Sequence, residues 1–300
     1  MDVTEWLLDS DPAIRWQVLR DLTDASPDVV AAERARVATE GWGAALLAEQ
    51  DPEGTWDGDV FFPPWTSTLN TVQLLHDLGI DPQSPETRRA IDLVARNVHW
   101  QEEFGSNLYF DGEVEACING RVFAAGAYFG HPSTVLRDRL VGERLADGGW
   151  NCYVPPSERS SFNSTICVLE GLLEYETAVG ATAETTEARR TGEQYLLDRG
   201  LLRRLSTGEI VDEDWTKLSF PVYYSYDVLR GLEYFRAAGA EPDDRFAEAI
   251  ALIEGKRDAD GRWALEHTHE GKQWFEMEPE GEPSRWITLR ALRVLAWYHA

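Results

Sequence analysis

Two cysteines and an acid are the first residues in this 300-residue sequence with obvious chemical reach. The stretch "EVEAC" places Glu115 and Cys117 two positions apart, and "DGGWNC" ends on Cys152, about one internal repeat later. Thiolates and carboxylates are zinc donors, and three or four of them converging make a site. A histidine is missing from this set. "SSFNST" has Asn163 where a fourth donor would help, while His267 and His269 come from a much later loop. Two other readings of the thiols stand beside zinc. Free cysteine packs readily as a small buried side chain, and a thiol with a base beside it is a nucleophile.

A second set is aromatic and polar. Trp65-Thr66, Phe162-Asn163, Tyr223-Tyr224, Tyr226-Asp227 and Arg285-Trp286 recur at one phase of a repeat. Aromatic walls suit an apolar or carbocationic ligand, through burial and cation–π attraction. Glu115, Asp227, Arg121 and Arg285 would supply polar anchors or an acid. Asp227 or Glu115, desolvated and raised in pKa, would be able to protonate an alkene or epoxide. The plainer reading is helix packing, with Arg285 and Asp227 paired.

The elements that position these residues repeat. "DPEGTW" (51–56), "ADGGWNC" (146–152) and "DADGRW" (258–263) are copies of one loop. Glycine permits its turn and Asp bonds the turn backbone. The Trp is expected to bury its ring, with its N–H on a loop carbonyl. Segments with helical apolar spacing follow the repeat loops at 66–79, 117–130, 163–176, 223–239 and 286–300. More charged helical stretches precede them at 28–49, 86–98, 133–146, 184–199 and 243–257. The former are apolar nearly all round, as buried helices are, and the latter carry one charged face. Ser84-Pro85 and Asp11-Pro12 mark helix starts, and Gly79, Gly130 and Gly239 mark helix ends.

Alternating inner and outer helices over five or six pairs predict an all-α fold, an α/α toroid, with an open solenoid as the alternative. One domain is expected to span 1–300, with 1–24 an N-terminal helical segment packing on the ring or completing it.

A net charge of −25 and a pI near 4.5 argue against nucleic acid or an anionic membrane as partner. No apolar run approaches the ~20 residues of a membrane span. The sequence starts without a basic region followed by an apolar core, and its three cysteines are an odd number, so a reducing, cytoplasmic setting without disulfides is expected. Nothing in the sequence specifies a protein partner.

The Asp–Gly–Trp loops ahead of buried helices resemble the repeats of squalene and other terpenoid cyclases and of protein prenyltransferase β subunits. "DPAIRWQVLRDL", "SSFNSTICVLEGLLEYE", "FPVYYSYDVLRGL" and "PSRWITLRALRVLAWY" look like a prokaryotic, squalene-cyclase-like branch of that superfamily. The resemblance implies the same toroid, and a central aromatic-lined cavity for an isoprenoid-like ligand. It also implies zinc ligation near Cys117, because the prenyltransferases hold zinc with an Asp-x-Cys at the start of an inner helix and a later His. The acid motif of class II cyclases, Asp-x-Asp-Asp, is not matched. "VDEDWT" has Asp212 and Asp214 but Trp215 where the last Asp belongs. Arg121 and Arg285 are the only basic residues this reading places near the cavity, so a neutral isoprenoid is expected in preference to a diphosphate.

The expected function is therefore terpenoid-cyclase- or prenyltransferase-like binding of an apolar ligand, with acid chemistry from Asp227 or Glu115 if it is an enzyme. A non-catalytic lipid- or peptide-binding module is the alternative. A carbohydrate-active (α/α)6 enzyme, using carboxylates among Asp57, Asp59, Asp111 and Glu113, is a further one.

Overall fold

The structure, a computed structural model, describes residues 2–155 and 157–300. It is an all-α toroid in which outer and inner helices alternate along the chain. A short α1 (Val3–Leu8) leads into α2 (Pro12–Leu22), which is followed by α3 (Pro27–Ala35). Five outer–inner pairs come next. They are α4 (Gly41–Ala48) with α5 (Thr68–Asp77), α6 (Pro85–Asn97) with α7 (Ala116–Tyr128), and α8 (Thr134–Gly142) with α9 (Phe162–Val179). The last two are α10 (Ala183–Leu197) with α11 (Val228–Ala237), and α12 (Ala247–Gly255) with α13 (Arg285–Tyr298). A two-residue antiparallel pair, β1 (Trp263–Ala264) and β2 (Pro283–Ser284), bounds the loop before α13.

Each repeat loop acts as a lock between an outer and an inner helix. Trp56, Trp150 and Trp263 are fully buried. Their indole N–H groups donate to Leu46, Leu140 and Ile253 carbonyls at 2.7, 2.6 and 2.7 Å. These acceptors lie on the preceding outer helices, not in the loops as expected. The same three residues donate their backbone N–H to Thr68, Thr165 and Thr288 hydroxyls, in the first turns of the inner helices, at 3.0–3.1 Å. A buried donor left unpaired is costly, so this double satisfaction fixes the loop against both helices.

Six inner helices close into a ring, each joined to the next by a polar bond. Trp16 on α2 donates to Leu78 O at the end of α5 (3.1 Å). Arg121 on α7 reaches Asp77 on α5 (2.8 Å) and Glu170 on α9 (3.3 Å). Glu170 also takes Arg230 of α11 (2.7 Å), and Glu233 of α11 takes Arg290 of α13 (2.5 Å). Arg293 on α13 then donates to Gln17 on α2 at 2.9 Å. The tightest approach is between α7 and α9. A Cβ on Gly120 would sit 2.5 Å from Cys167 backbone atoms, and one on Gly171 would sit 2.5 Å from Gly120 O. Only glycine permits that separation.

The predicted helix over 28–49 divides in two. Gly41, with φ +65°, breaks it, and the Asp11 carboxylate accepts the Trp42 N–H at 2.8 Å beside the break. The predicted helix over 223–239 starts later, at Val228, where the Asp227 side chain caps it by accepting the Arg230 N–H at 2.7 Å. Gly79, Gly130 and Gly239 take the left-handed backbone expected at helix ends.

Candidate functional site

At the N-terminal ends of the inner helices, Glu115, Cys117 and Cys152 come together. One ligand atom from each lies within 4.8 Å of the other two. Cys117 is carried on the first turn of α7 and Glu115 stands at that helix's N-cap position, while Cys152 follows the repeat Trp150 and is delivered by the locked loop. The backbone N–H of Cys117 and the hydroxyl of Ser164 frame this corner differently. Cys117 N–H points at Cys152 Sγ (3.1 Å), whereas the Ser164 hydroxyl lies 3.2 Å from Cys152 Sγ and accepts the Cys152 N–H.

The donor set fits zinc. Tetrahedral coordination with Zn–S near 2.3 Å and Zn–O near 2.1 Å implies ligand–ligand edges of about 3.5–3.8 Å. The Cys117 Sγ to Glu115 Oε2 separation is 3.7 Å. Hydrogen bonds from Cys117 raise the acidity of Cys152, whose pKa is lowered despite burial. Cys117 is pushed the other way, by its hydrogen bond to Cys152 and by burial. The first thiolate to form is therefore Cys152. Asn163 completes nothing here, because its Oδ1 accepts the Tyr226 N–H at 2.7 Å. Beside the trio, burial pushes the Glu113 carboxyl up to about 7. Its Oε1 accepts the Glu115 N–H at 2.5 Å, which ties down the backbone ahead of α7.

Glu115 and Cys117, but not Cys152, line a cavity of about 360 Å³ between α5 and α7. Its wall is mostly carbon, from Phe61, Trp65, Leu69, Ile118 and Tyr224, with Glu115 and Cys117 at one side and Arg121 at its floor. Trp65 organises the aromatic part. Its ring stacks on Tyr223 (4.6 Å), His269 (4.6 Å) and Tyr224 (6.2 Å). Trp65 and Tyr223, at equivalent repeat positions, both hold positive φ, +71° and +47°. That backbone is uncommon for bulky residues and is held by the surrounding packing.

The remaining expected site residues go elsewhere. Trp286 stacks on Phe220 (4.3 Å), in a neighbouring cavity of about 300 Å³. Phe162 packs with Trp215 and Tyr226, and the Tyr226 hydroxyl donates to Leu201 O, so this cluster belongs to the junction of α9, α10 and α11. Arg285 lies over the Trp6 ring (4.6 Å) and donates to Trp6 O, outside the cavity. It does not pair with Asp227. Asp227 is used by the fold, capping α11 and accepting the Ser219 hydroxyl (3.1 Å), and it lines neither cavity. Asp214 is an exposed partner of Lys217. Asp57 binds Thr66 and Lys272, Asp59 caps a turn at Phe61 and Phe62, and Asp111 is exposed.

Sequence reasoning missed two features. The loop between β1 and β2 crosses the N-terminal mouth, where Trp274 donates to Thr71 (3.0 Å), Trp65 donates to Glu270 O (2.8 Å) and Lys272 pairs with Asp57. It puts Trp274, Phe275 and Met277 over the ring opening, with the Glu278 carboxyl, its pKa raised by burial, on the α13 N-terminus. The second is the set of arginines on the inner helices, whose signal was a charge in each otherwise apolar run: "INGRVF", "VLRGL" and "LRALRVL".

Among the described residues no helix is long and apolar enough to cross a membrane. Neither a protein-family profile nor a curated protein matches the sequence. Solved structures similar to this chain include the type II terpene cyclase MstE from Scytonema, without ligand, at 15% identity and TM-score 0.48. That alignment covers 95% of this chain and 86% of that one. A variant of the same enzyme in complex with its substrate, geranylgeranyl dihydroxybenzoate, aligns at 16% identity and TM-score 0.47, over 96% and 86% of the two chains.

Proposed function

We propose that this protein binds a neutral, isoprenoid-like molecule in the carbon-lined cavity between α5 and α7, and that Glu115 and Cys117 on its wall hold a zinc ion together with the adjoining Cys152. The observation that carries this reading is a juxtaposition. Among the described residues, the only acid and the only thiol on that cavity wall belong to the same three-donor cluster. Burial of an apolar chain against Phe61, Leu69 and Ile118 supplies affinity at about 25 cal/mol per Å² of apolar surface removed from water. Trp65 and Tyr224 present ring faces suited to an alkene or a developing positive charge.

Bound at the trio, zinc would act as a Lewis acid toward an oxygen or sulfur atom of the ligand, through a coordination position the protein leaves open. The chain's own residues do the rest. Cys152 is held for ligation by the Cys117 N–H and the Ser164 hydroxyl, the Trp65 stack orients the ligand, and the loop carrying Trp274 keeps water from the mouth.

A carrier without chemistry is the second reading, favoured by the employment of Asp227 as a helix cap. The two readings share the cavity and differ at the trio. Titration with farnesol, followed by tryptophan emission, tests the shared part. Saturable quenching that is lost in Leu69→Trp and Ile118→Trp supports it, and quenching that survives both cavity-filling changes refutes it. Turnover of a bound isoprenoid that disappears in Cys152→Ser while farnesol still binds separates enzyme from carrier.

A further inference from the structure

The other end of the ring has a different chemistry. Where the inner helices finish, they enclose a chamber of about 440 Å³ whose wall carries seven arginines against four carboxylates, plus His76. This stands out in a chain of net charge −25. Most of the guanidinium groups are matched in a shared pattern. Glu170 serves Arg121 and Arg230, and Glu233 serves Arg290 and Arg293. Asp21, just behind the wall, serves Arg20 and reaches Arg293 at 3.4 Å. Counting Asp21, seven cations still face five carboxylates, and His76 is held protonated to about 9 because Asp77 and Glu174 outweigh its burial.

Two arginines account for the surplus. Arg34 has no carboxylate partner among the described residues. It donates to Gly79 O (2.9 Å) and the Tyr128 hydroxyl (2.6 Å), with its plane 5.0 Å from the Trp16 ring. Arg236 forms no ion pair and no side-chain hydrogen bond among the described residues, and its Nε is buried without a partner. Burial and the like charges of Arg293 and Arg20 lower its pKa, so the site is short of negative charge. The partial negative charge of helix C-termini explains part of the arginine content. Arg34 answers one such carbonyl directly, and Arg236 answers none.

An unpartnered guanidinium, Arg236, that shares a cavity with an arginine lacking a carboxylate, Arg34, matches the oxygens of a multiply charged oxyanion, which a guanidinium fork binds through charge-assisted hydrogen bonds. We infer that this chamber is a binding site for a phosphate or diphosphate group, with Arg20, Arg34, Arg236 and Arg293 as its donors. The anion satisfies Arg236, offsets the excess positive charge and ties α2 to α11 and α13 across the ring. The site lies at the opposite end of the inner helices from the cysteine cluster. Its test is therefore independent of whether the α5–α7 cavity takes an isoprenoid.

Calorimetric titration of the whole protein with inorganic pyrophosphate, at fixed ionic strength in chloride, is the direct experiment. The expected result is saturable binding that weakens at least tenfold in Arg236→Gln and in Arg34→Gln, and is unchanged in Arg96→Gln, an exposed outer-helix control of the same charge change. Circular dichroism establishes that each variant is folded, and Arg236, which holds no partner, is the variant least able to unfold the ring. The absence of saturable binding at millimolar pyrophosphate overturns the inference, as does equal weakening by all three substitutions, which would mark a diffuse charge effect. A short alkyl diphosphate binding more tightly than pyrophosphate assigns the head group of an organic molecule, and the reverse order assigns free diphosphate.

Discussion

The Cys152 thiol accepts the backbone N–H of Cys117 at 3.1 Å, across a gap of 35 residues, and so joins the repeat loop ahead of α9 to the start of α7, the preceding inner helix. A sulfur so placed is a better acceptor as thiolate than as thiol. Purified without chelator, the protein is expected to carry close to one equivalent of zinc by elemental analysis. Cys152→Ser should weaken zinc affinity at least tenfold, since loss of even an outer partner of a ligand typically costs about 10–100-fold. Less than a tenth of an equivalent in the parent protein removes the metal and leaves Glu115 as the single acid of the cavity.

Thr165 presents its hydroxyl to the Trp150 N–H at 3.1 Å, and Thr68 and Thr288 do the same for Trp56 and Trp263. Replacement of Thr165 by the near-isosteric Val strands a buried donor. The expected loss is about 1–3 kcal/mol of unfolding free energy in urea titration. A loss below a few tenths would mean that the threonines are incidental to the lock.

How much of this was legible follows from what each signal depends on. The toroid could be read because the Trp loops and the contrast between inner and outer helices are local patterns that recur. The approach of Cys152 to Cys117 could also be anticipated, since Cys152 lies in the next repeat loop, about one repeat later, on the side of the opening where Cys117 starts its helix. The fates of Asp227 and Arg285 could not. An Asp beside an aromatic at a helix start reads equally as an acid or a cap, and only the position of Arg230 N–H and Ser219 decides for the cap. The partner of Arg285 is Trp6, 279 residues away, and no local pattern encodes it. The axial arginines were visible as charges in apolar runs. Their clustering arises only when six helices from the whole chain meet.

The ion pairs that line the axis predict the acid limb of stability. Burial opposes ionisation of Asp77 and Glu233, but Arg121 and His76 on one, and Arg293 and Arg290 on the other, hold each carboxyl at about 2 against ordinary values of 3.8 and 4.5. Depressed pKa values contribute stability that is complete above the unfolded-state values and disappears as pH falls toward 2. Each contribution is on the order of 2–3.5 kcal/mol. His76 has the opposite sign. Its raised pKa of about 9 contributes below 6.5 and is lost as pH rises through 9. Urea unfolding across this range should show a dome. Glu233→Gln should flatten its acid side and lower its top by about 3–5 kcal/mol, because Arg290 and Arg293 are left buried without their shared partner. An acid limb unchanged by that substitution would show that other carboxylates set it.

The crossing loop predicts an effect on exchange more than on stability. Lys272 and Asp57 form an ion pair that is about half exposed on the lysine side, which is worth at most about 1 kcal/mol and is screened by salt. Trp274 is the firmer hold, through its hydrogen bond to Thr71 and its packing over the mouth. Trp274→Phe keeps most of the half-buried ring and deletes the bond, so the global unfolding midpoint should move little. Farnesol association and dissociation should both accelerate, by comparable factors, with the equilibrium affinity nearly unchanged, as expected when a gate is loosened and the cavity behind it is not. Stopped-flow quenching reads both rates. A change in affinity with constant association would place Trp274 in the ligand's contact surface and not across its path.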